Sequence, residues 1–303
     1  MRSQLQKQLE GRVQQCVSHT RDFLHHCPSI ELKKECCSKR NAEIVKAAAT
    51  GRITEKKQQD ELGEVFYRVH FQYLIRQKGE FFLEEEIEHR KAEFYKGILV
   101  EDGLVTPPEY DLKNPGADDE TETGREAGRV VSPSGERQWK EYRYNRLKAV
   151  QYAERWWNDA NPAFKDFDVD CTNYISQCLH AGGAPMHGFP GRTNGWWMQN
   201  NDWSYSWTVA NSLRIYLSRP KFGLKAREVK SADQLLLGDV ICYDFQGDGR
   251  YDHATIVTAK DADGMPLVNA HTTNSRRRYW AYEDSTAYTP NIQYRFFSIL
   301  DNQ

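Results

Sequence analysis

The chain has 303 residues, 39% of them hydrophobic, and its 41 basic and 43 acidic residues give a formal net charge of −2. That length suits two domains, and the near-balance of charge excludes a duplex nucleic-acid binder that works through a basic excess. No apolar run approaches the ~20 residues that span a bilayer.

The opening Met1-Arg2-Ser3-Gln4-Leu5-Gln6-Lys7-Gln8-Leu9 lacks the apolar stretch of a secretory signal. The default expectation is a cytoplasmic protein, or an extracellular or wall-located one if a leader has been trimmed. Cys16, Cys27, Cys36, Cys37, Cys171, Cys178 and Cys242 are odd in number and share no repeating framework. With no C-x-x-C pair, and His25-His26-Cys27 standing alone, reduced thiols without a bound metal are expected.

Residues 1 to about 50 read as helix. Leu5, Leu9, Val13, Cys16, Val17, Phe23 and Leu24 recur at helical spacing, Pro28-Ser29 makes a break, and Ile30 to Ala49 forms a second helical piece before Gly51. Val65, Tyr67, Val69, Phe71, Tyr73 and Ile75 then alternate without interruption, the signature of a half-buried strand. Gln77-Lys78-Gly79-Glu80 is a turn, and the stretch from Phe81 towards Leu99 is either a second strand or a charged helix over Glu84 to Lys96. From Thr106 to Gly135 the composition collapses to Pro, Gly, Asp, Glu and Thr, which offers little apolar surface against chain entropy. The expected organisation is therefore an N-terminal helical, α+β accessory domain over 1–105, a linker or disordered loop over 106–137 and a second domain over 138–303.

The second domain opens with a helix from Tyr142 to Ala153 and continues with another from Cys171 to Ala181, stopped by Gly182-Gly183. A glycine- and tryptophan-rich loop (186–207) and a helix near Val209 to Leu217 follow. Strands are expected at Asp239 to Tyr243, His253 to Ala259, Leu267 to Thr272 and Ile292 to Leu300. Helices first and an antiparallel sheet after is an α+β pattern.

Two residues carry the chemistry. Asp170 is a good N-cap, which places Cys171 in the first turn of its helix. There the free N–H groups and helix dipole favour a thiolate and can hold an oxyanion. The opposing reading is a buried structural cysteine, and for Cys178, deeper in the helix, that reading wins. His253 heads an apolar strand straight after the tight loop Gly247 to Asp252, and histidine is the usual base for a thiol nucleophile. A third group should orient the imidazole. Counting back from the Asp261-Ala262-Asp263-Gly264 turn, the residue facing His253 falls near 270–272, which keeps both Asn269 and His271 in reach, with Asn274 a weaker option. Asp170, Asn173 and Gln177 are candidates for support of the site. Trp196, Trp197, Trp203 and Trp207 either wall a substrate cleft or pin their loop to the core. Asp244, Gln246, Asp248 and Asp252 invite a calcium reading, but the spacing of an EF-hand loop is missing. Arg276-Arg277-Arg278 reads as a solvated corner.

These residues resemble a known family: the "putative amidase" domain of Gram-positive bacteria, a relative of the NlpC-type and CHAP-type papain-like cysteine hydrolases. The resemblance lies in Tyr144-Asn145-Arg146, Ala149 to Ala153, Asn161-Pro162 with Phe164, Asp170-Cys171-Thr172-Asn173-Tyr174-Ile175-Ser176-Gln177-Cys178, Gly182-Gly183, Gly238-Asp239-Val240, Gly247-Asp248-Gly249 with Asp252-His253, and His271-Thr272-Thr273-Asn274. It implies a papain-like C-terminal domain with helices on an antiparallel sheet, Cys171 as nucleophile, His253 as base and His271 in preference to Asn269 as third member. It also implies a peptide or peptidoglycan-like amide substrate and no cofactor. The N-terminal part is similar, more loosely, to cone-shaped nuclear-transport-factor-like domains. Two rival functions stay in view: acyl transfer or transpeptidation by the same pair, and an inactive fold that binds through its Trp-rich loop.

Overall fold

A computed structural model of the protein describes residues 1–18, 27–105, 142–219 and 223–301. The expected linker, 106–137, lies outside the described residues, as do His25 and His26. Two helices, α1 (Arg2–Val17) and α2 (Pro28–Lys39), precede four strands: β1 (Ala42–Gln59), β2 (Leu62–Gln77), β3 (Glu80–Tyr95) and β4 (Ile98–Leu104). The C-terminal part contains α3 (Arg146–Trp156), α4 (Cys171–Ala181), the short β5 (Met198–Gln199) and β6 (Asp202–Trp203), α5 (Tyr205–Thr208) and α6 (Ala210–Ser218). It closes with β7 (Lys225–Val229), β8 (Val240–Asp244), β9 (His253–Lys260), β10 (Pro266–Ala270), β11 (Ser275–Tyr279) and β12 (Gln293–Leu300). The whole is α+β with an antiparallel sheet.

The alternation along β2 does what its period requires. Val65, Tyr67, Val69, Phe71, Tyr73 and Ile75 are each at most 4% exposed and form, with Leu5, Cys16 and Ile30, the core under α1 and α2. At ~1.5–3 kcal/mol per fully buried large apolar side chain, this face is what holds both helices to the sheet. The turn at Lys78 and Gly79 is as expected, with φ of +50° and +84°, the twist that suits a tight hairpin.

One expectation for this part is corrected and one left open is decided. The second helix ends at Lys39, not Ala49: Asn41 takes a left-handed φ of +55°, and β1 begins at Ala42. Lys46-Ala47-Ala48-Ala49 favours a helix locally, but pairing along β2, from Ala42↔Gln77 to Gln59↔Leu62, overrides that weak preference. Of the two readings left open for 84–96, the structure takes the strand. Its inward carboxylates are met by cations from the covering helices: Arg12 donates two bonds of 2.7 Å to Glu88, and Lys33 pairs with Glu84.

The main sheet has ten strands among the described residues, ordered β1-β2-β3-β11-β10-β9-β8-β12-β7 with β4 beside β3. N-terminal and C-terminal strands therefore share one sheet, joined where β3 meets β11 at Ser275↔Glu86 and Arg276↔Glu85. In the C-terminal part α3, α4 and α6 pack on the face carrying Val240, Cys242, Ala254 and Ile256, while Ile241, Tyr243, Val257 and Val268 pack on the other.

Arg276-Arg277-Arg278 is no solvated corner. It lies within β11, where Arg276 bonds Glu85 and Glu154, and Arg278, 5% exposed, bonds Asp284 at 2.7 and 3.0 Å. Asp284 also accepts from Lys33 Nζ at 2.7 Å, so a helix of the first part and a strand of the second clamp one carboxylate. Cations hold that carboxyl well below its usual range. Replacing Lys33 by Met should cost about 3–5 kcal/mol, the loss expected when a buried charge cluster is left unbalanced. Urea unfolding of the two proteins measures this; a change within 1 kcal/mol would mean that the cluster is better solvated than its burial indicates.

Candidate active site

α4 starts at Cys171, but not by the expected capping. Asp170 stands at the N-cap position without capping the helix. Its carboxylate instead accepts from Asn173 Nδ2 at 2.7 Å and faces His271 Nδ1 at 2.8 Å. The capping oxygen comes from Thr272, whose hydroxyl accepts from the amides of Asp170 and Cys171, each at 3.2 Å. Thr272 has a φ of +80°, a costly conformation for a β-branched residue, and the two amide bonds help to hold it there.

The Cys171 side chain is buried, with its residue 3% exposed. Burial pushes the thiol pKa up, and the Thr172 hydroxyl, 3.6 Å from Sγ, and the amide of Ala254 only partly oppose that shift. The expectation of a lowered thiol pKa is thus overturned: a helix N-terminus contributes ~0.3–1 kcal/mol, less than the desolvation it works against.

His253 is the first residue of β9, one before Ala254. Its ring lies among Tyr243, Phe245 and Tyr282, with centroids 5.7, 6.1 and 5.4 Å away. It leaves the strand on the face opposite Ala254. Among the described residues, the polar partner of His253 Nε2 is the Tyr282 hydroxyl at 3.3 Å, and no hydrogen bond joins the ring to Cys171. Burial, with Arg278 nearby, pushes the imidazole pKa down to about 3.

Among the described residues, neither expected third member is hydrogen-bonded to His253. His271 sits flat on Tyr174, with centroids 3.9 Å apart, and both its nitrogens are engaged: Nδ1 with Asp170 and Nε2 with the Trp156 carbonyl at 2.7 Å. Asn269 is fully buried, accepts from Thr258 Oγ1 and the Arg277 amide, and donates to Glu154. The Asn274 carbonyl serves the β3 seam by accepting from the Ile87 amide. Asn173 ties the Lys165 carbonyl to the indole of Trp207, and Gln177 accepts from Tyr152, so both brace α4 away from the thiol.

Trp196, Trp197 and Trp207 are fully buried core residues, not cleft walls. Trp196 donates to Ser176 and packs 4.6 Å from Trp207, while Trp197 donates to the carbonyls of Gly191 and Asn194. Of the four, Trp203 alone stays part-exposed, beneath the Arg192 guanidinium at 4.8 Å. In the acidic loop, Asp244 caps the amides of Gly247, Asp248 and Gly249, and Asp252 accepts from the Phe245 amide. These carboxylates hold a turn. Two residues at the site were not anticipated. Thr272 belongs to the His271-Thr272-Thr273-Asn274 run and was open to notice, whereas Tyr282 lies in a non-periodic turn with no local signal.

Residues 143–297 match the family described as "Putative amidase domain", and the chain belongs to that family. It is 50% identical over 279 residues to "Uncharacterized protein YhbB" of Bacillus subtilis, which covers 90% of this chain and 86% of the relative. A second B. subtilis relative, "Uncharacterized protein YjcM", is 31% identical over 140 residues, covering 43% of this chain and 31% of its own length. No solved structure matches significantly. Among the described residues no helix is long and apolar enough to cross a membrane.

Thr272→Val removes the capping oxygen while keeping the strain, and should destabilise the protein by about 1–2 kcal/mol. Thr272→Gly also loses the oxygen but relieves the left-handed backbone, so its cost should be smaller; urea unfolding of both variants separates the two contributions. The depressed His253 pKa gives a second prediction. An unfolded His binds a proton near pH 6.5 and the folded one near 3, so this contribution is intact above 6.5 and is lost as pH falls between them. Melting curves from pH 7 to 5 should show stability falling by at most about 1.4 kcal/mol per pH unit, with a shallower fall in His253→Gln.

Proposed function

We propose that the protein is a cysteine-dependent amidohydrolase that cleaves a peptide-like amide through a thioester, with Cys171 as nucleophile and His253 as base. What carries the reading is the placement of the Cys171 sulfur against the Ala254 amide, one residue along from His253. Membership of the amidase family supports hydrolysis of an amide, and α4 lying across an antiparallel sheet is compatible with a papain-like, NlpC- or CHAP-like domain beyond residue 138.

In this reading Cys171 Sγ attacks the carbonyl carbon while His253 takes the thiol proton. The tetrahedral intermediate collapses, the C–N bond breaks, and His253 returns the proton to the leaving amine. Water then attacks the thioester with His253 again as base, releasing the acid and restoring the thiol. Burial favours neutral forms of both groups, so the proton moves during attack and no preformed thiolate–imidazolium pair is needed. The Cys171 amide would exchange the Thr272 hydroxyl for the oxyanion, a stronger acceptor. Cell-wall peptides are the substrate class to try first, and residues 1–105 act as an accessory domain bonded edge-on to the catalytic one.

The test is digestion of a cell-wall peptide mixture followed by mass spectrometry of the products. Native protein should release new amine and carboxyl ends, and Cys171→Ala should lower turnover by at least about a thousandfold. A Cys171→Ala protein with native turnover would sink the proposal.

A further inference from the structure

We propose that Tyr282 is the positioning residue for His253: the imidazole donates from Nε2–H to the Tyr282 hydroxyl, which donates in turn to Ser275 Oγ, leaving the Nδ1 lone pair for the Cys171 proton. This rests on the Cys171–His253 reading above and supplies the third member that His271 and Asn269 do not provide.

The distances allow this chain of donation. Tyr282 Oη lies 3.3 Å from His253 Nε2 and 3.4 Å from Ser275 Oγ, and the residue is 4% exposed. A buried phenol has one proton to give and can accept another, so it fits as the middle of a three-group chain. Burial pushes its pKa up and keeps that proton in place. Tyr282 is also an electrostatic neighbour of the Cys171 sulfur, so the hydroxyl that touches the base stands at the nucleophile's corner.

Several contacts hold the tyrosine where it is. Its backbone has a φ of +57°, with its carbonyl accepting from the Ser285 amide at 2.9 Å. Its ring lies 4.4 Å from the Arg278 guanidinium and 5.0 Å from Tyr243. Arg278 is locked by Asp284, and Asp284 by Lys33 of α2. The ring packs, while the oxygen bonds His253 and Ser275. Tyr282→Phe therefore removes the proposed function and leaves the packing. The titratable and charged groups at this corner are Arg278, Tyr243, Tyr282 and Cys171.

The experiment measures iodoacetamide alkylation of Cys171 from pH 5 to 10 in the full chain, read by mass spectrometry of the Cys171 peptide, with His253→Gln as reference. His253→Gln should slow alkylation near neutral pH and leave a profile that rises only with the thiol's own ionisation. Tyr282→Phe should lower the rate at pH 7 by roughly tenfold and shift the profile, with rates at the other cysteines unchanged. If His253→Gln changes the profile and Tyr282→Phe does not, this proposal fails while the Cys–His pair stands. If His253→Gln changes nothing, both fail. A second measurement needs no variant to fold into native form: long-range proton–nitrogen NMR of the histidine-labelled native protein should show the neutral His253 ring protonated on Nε2. A ring protonated on Nδ1 would overturn the proposal.

Discussion

The clamp on Asp284 is the interaction on which the rest of the structure depends. Among the described residues, the three apolar clusters do not cross the boundary between the two parts: one is drawn from residues up to 99, the other two from residues beyond 141. What crosses is mostly polar, with the His70 ring 5.5 Å from that of Trp157 beside it. Two registered pairs join β3 to β11, and around them lie Lys33 with Asp284, Arg276 with Glu85, and Lys78 and Gln77 with Asp263. Charges removed from water are costly unless each finds its partner in good geometry, so this seam tolerates one register and penalises others steeply. An apolar seam would hold with less discrimination.

That specificity is transmitted to the site. Arg278 cannot shift without uncovering Asp284, and the Tyr282 ring rests on Arg278. The corner where His253 sits is thus braced from α2, some two hundred residues earlier in the chain. The same arrangement explains the low imidazole pKa: aromatic rings exclude water, and the nearest fixed charge is a cation. Thr272 acts in a similar way on Cys171, spending backbone strain to place an oxygen at the start of α4.

How much of this was legible follows from which forces leave a pattern in sequence. β2 and α4 were legible because each has one face that must be dry, and dryness at a fixed period is written in residue type. β1 was not, because Lys46 to Ala49 carry helical preference and only their partner strand makes them extended. β3 stayed ambiguous and β11 was misread for the opposite reason: several of their buried residues are charged, Glu84, Glu88 and Arg278 among them, and are balanced by groups on other elements. Cys171 and His253 could be found from their local settings, a helix start and a strand start. Their supports could not. Asp170 looks like a cap and serves His271, His271 looks like an orienting group and serves Asp170 and Trp156, and the tryptophans of 196–207 look like a wall and fill the core.

The resting electrostatics constrain any chemistry at this site. Burial lifts the thiol and depresses the imidazole, so the uncharged pair is favoured twice over, and a standing ion pair would need new polar contacts to exist. On the proposed reading, charge would appear only as a substrate enters, where a developing oxyanion and imidazolium would partly balance each other in a site already dry. Fixed dipoles count for most under those conditions, because they are not remade at the moment of reaction. The amides of Cys171 and Ala254 are such dipoles, one on the helix and one on the strand, and both belong to elements whose positions are set by packing rather than by the substrate. If Cys171 and His253 act as proposed, the site gives up a reactive thiolate at rest and gains discrimination: the thiol is activated by what it is about to attack.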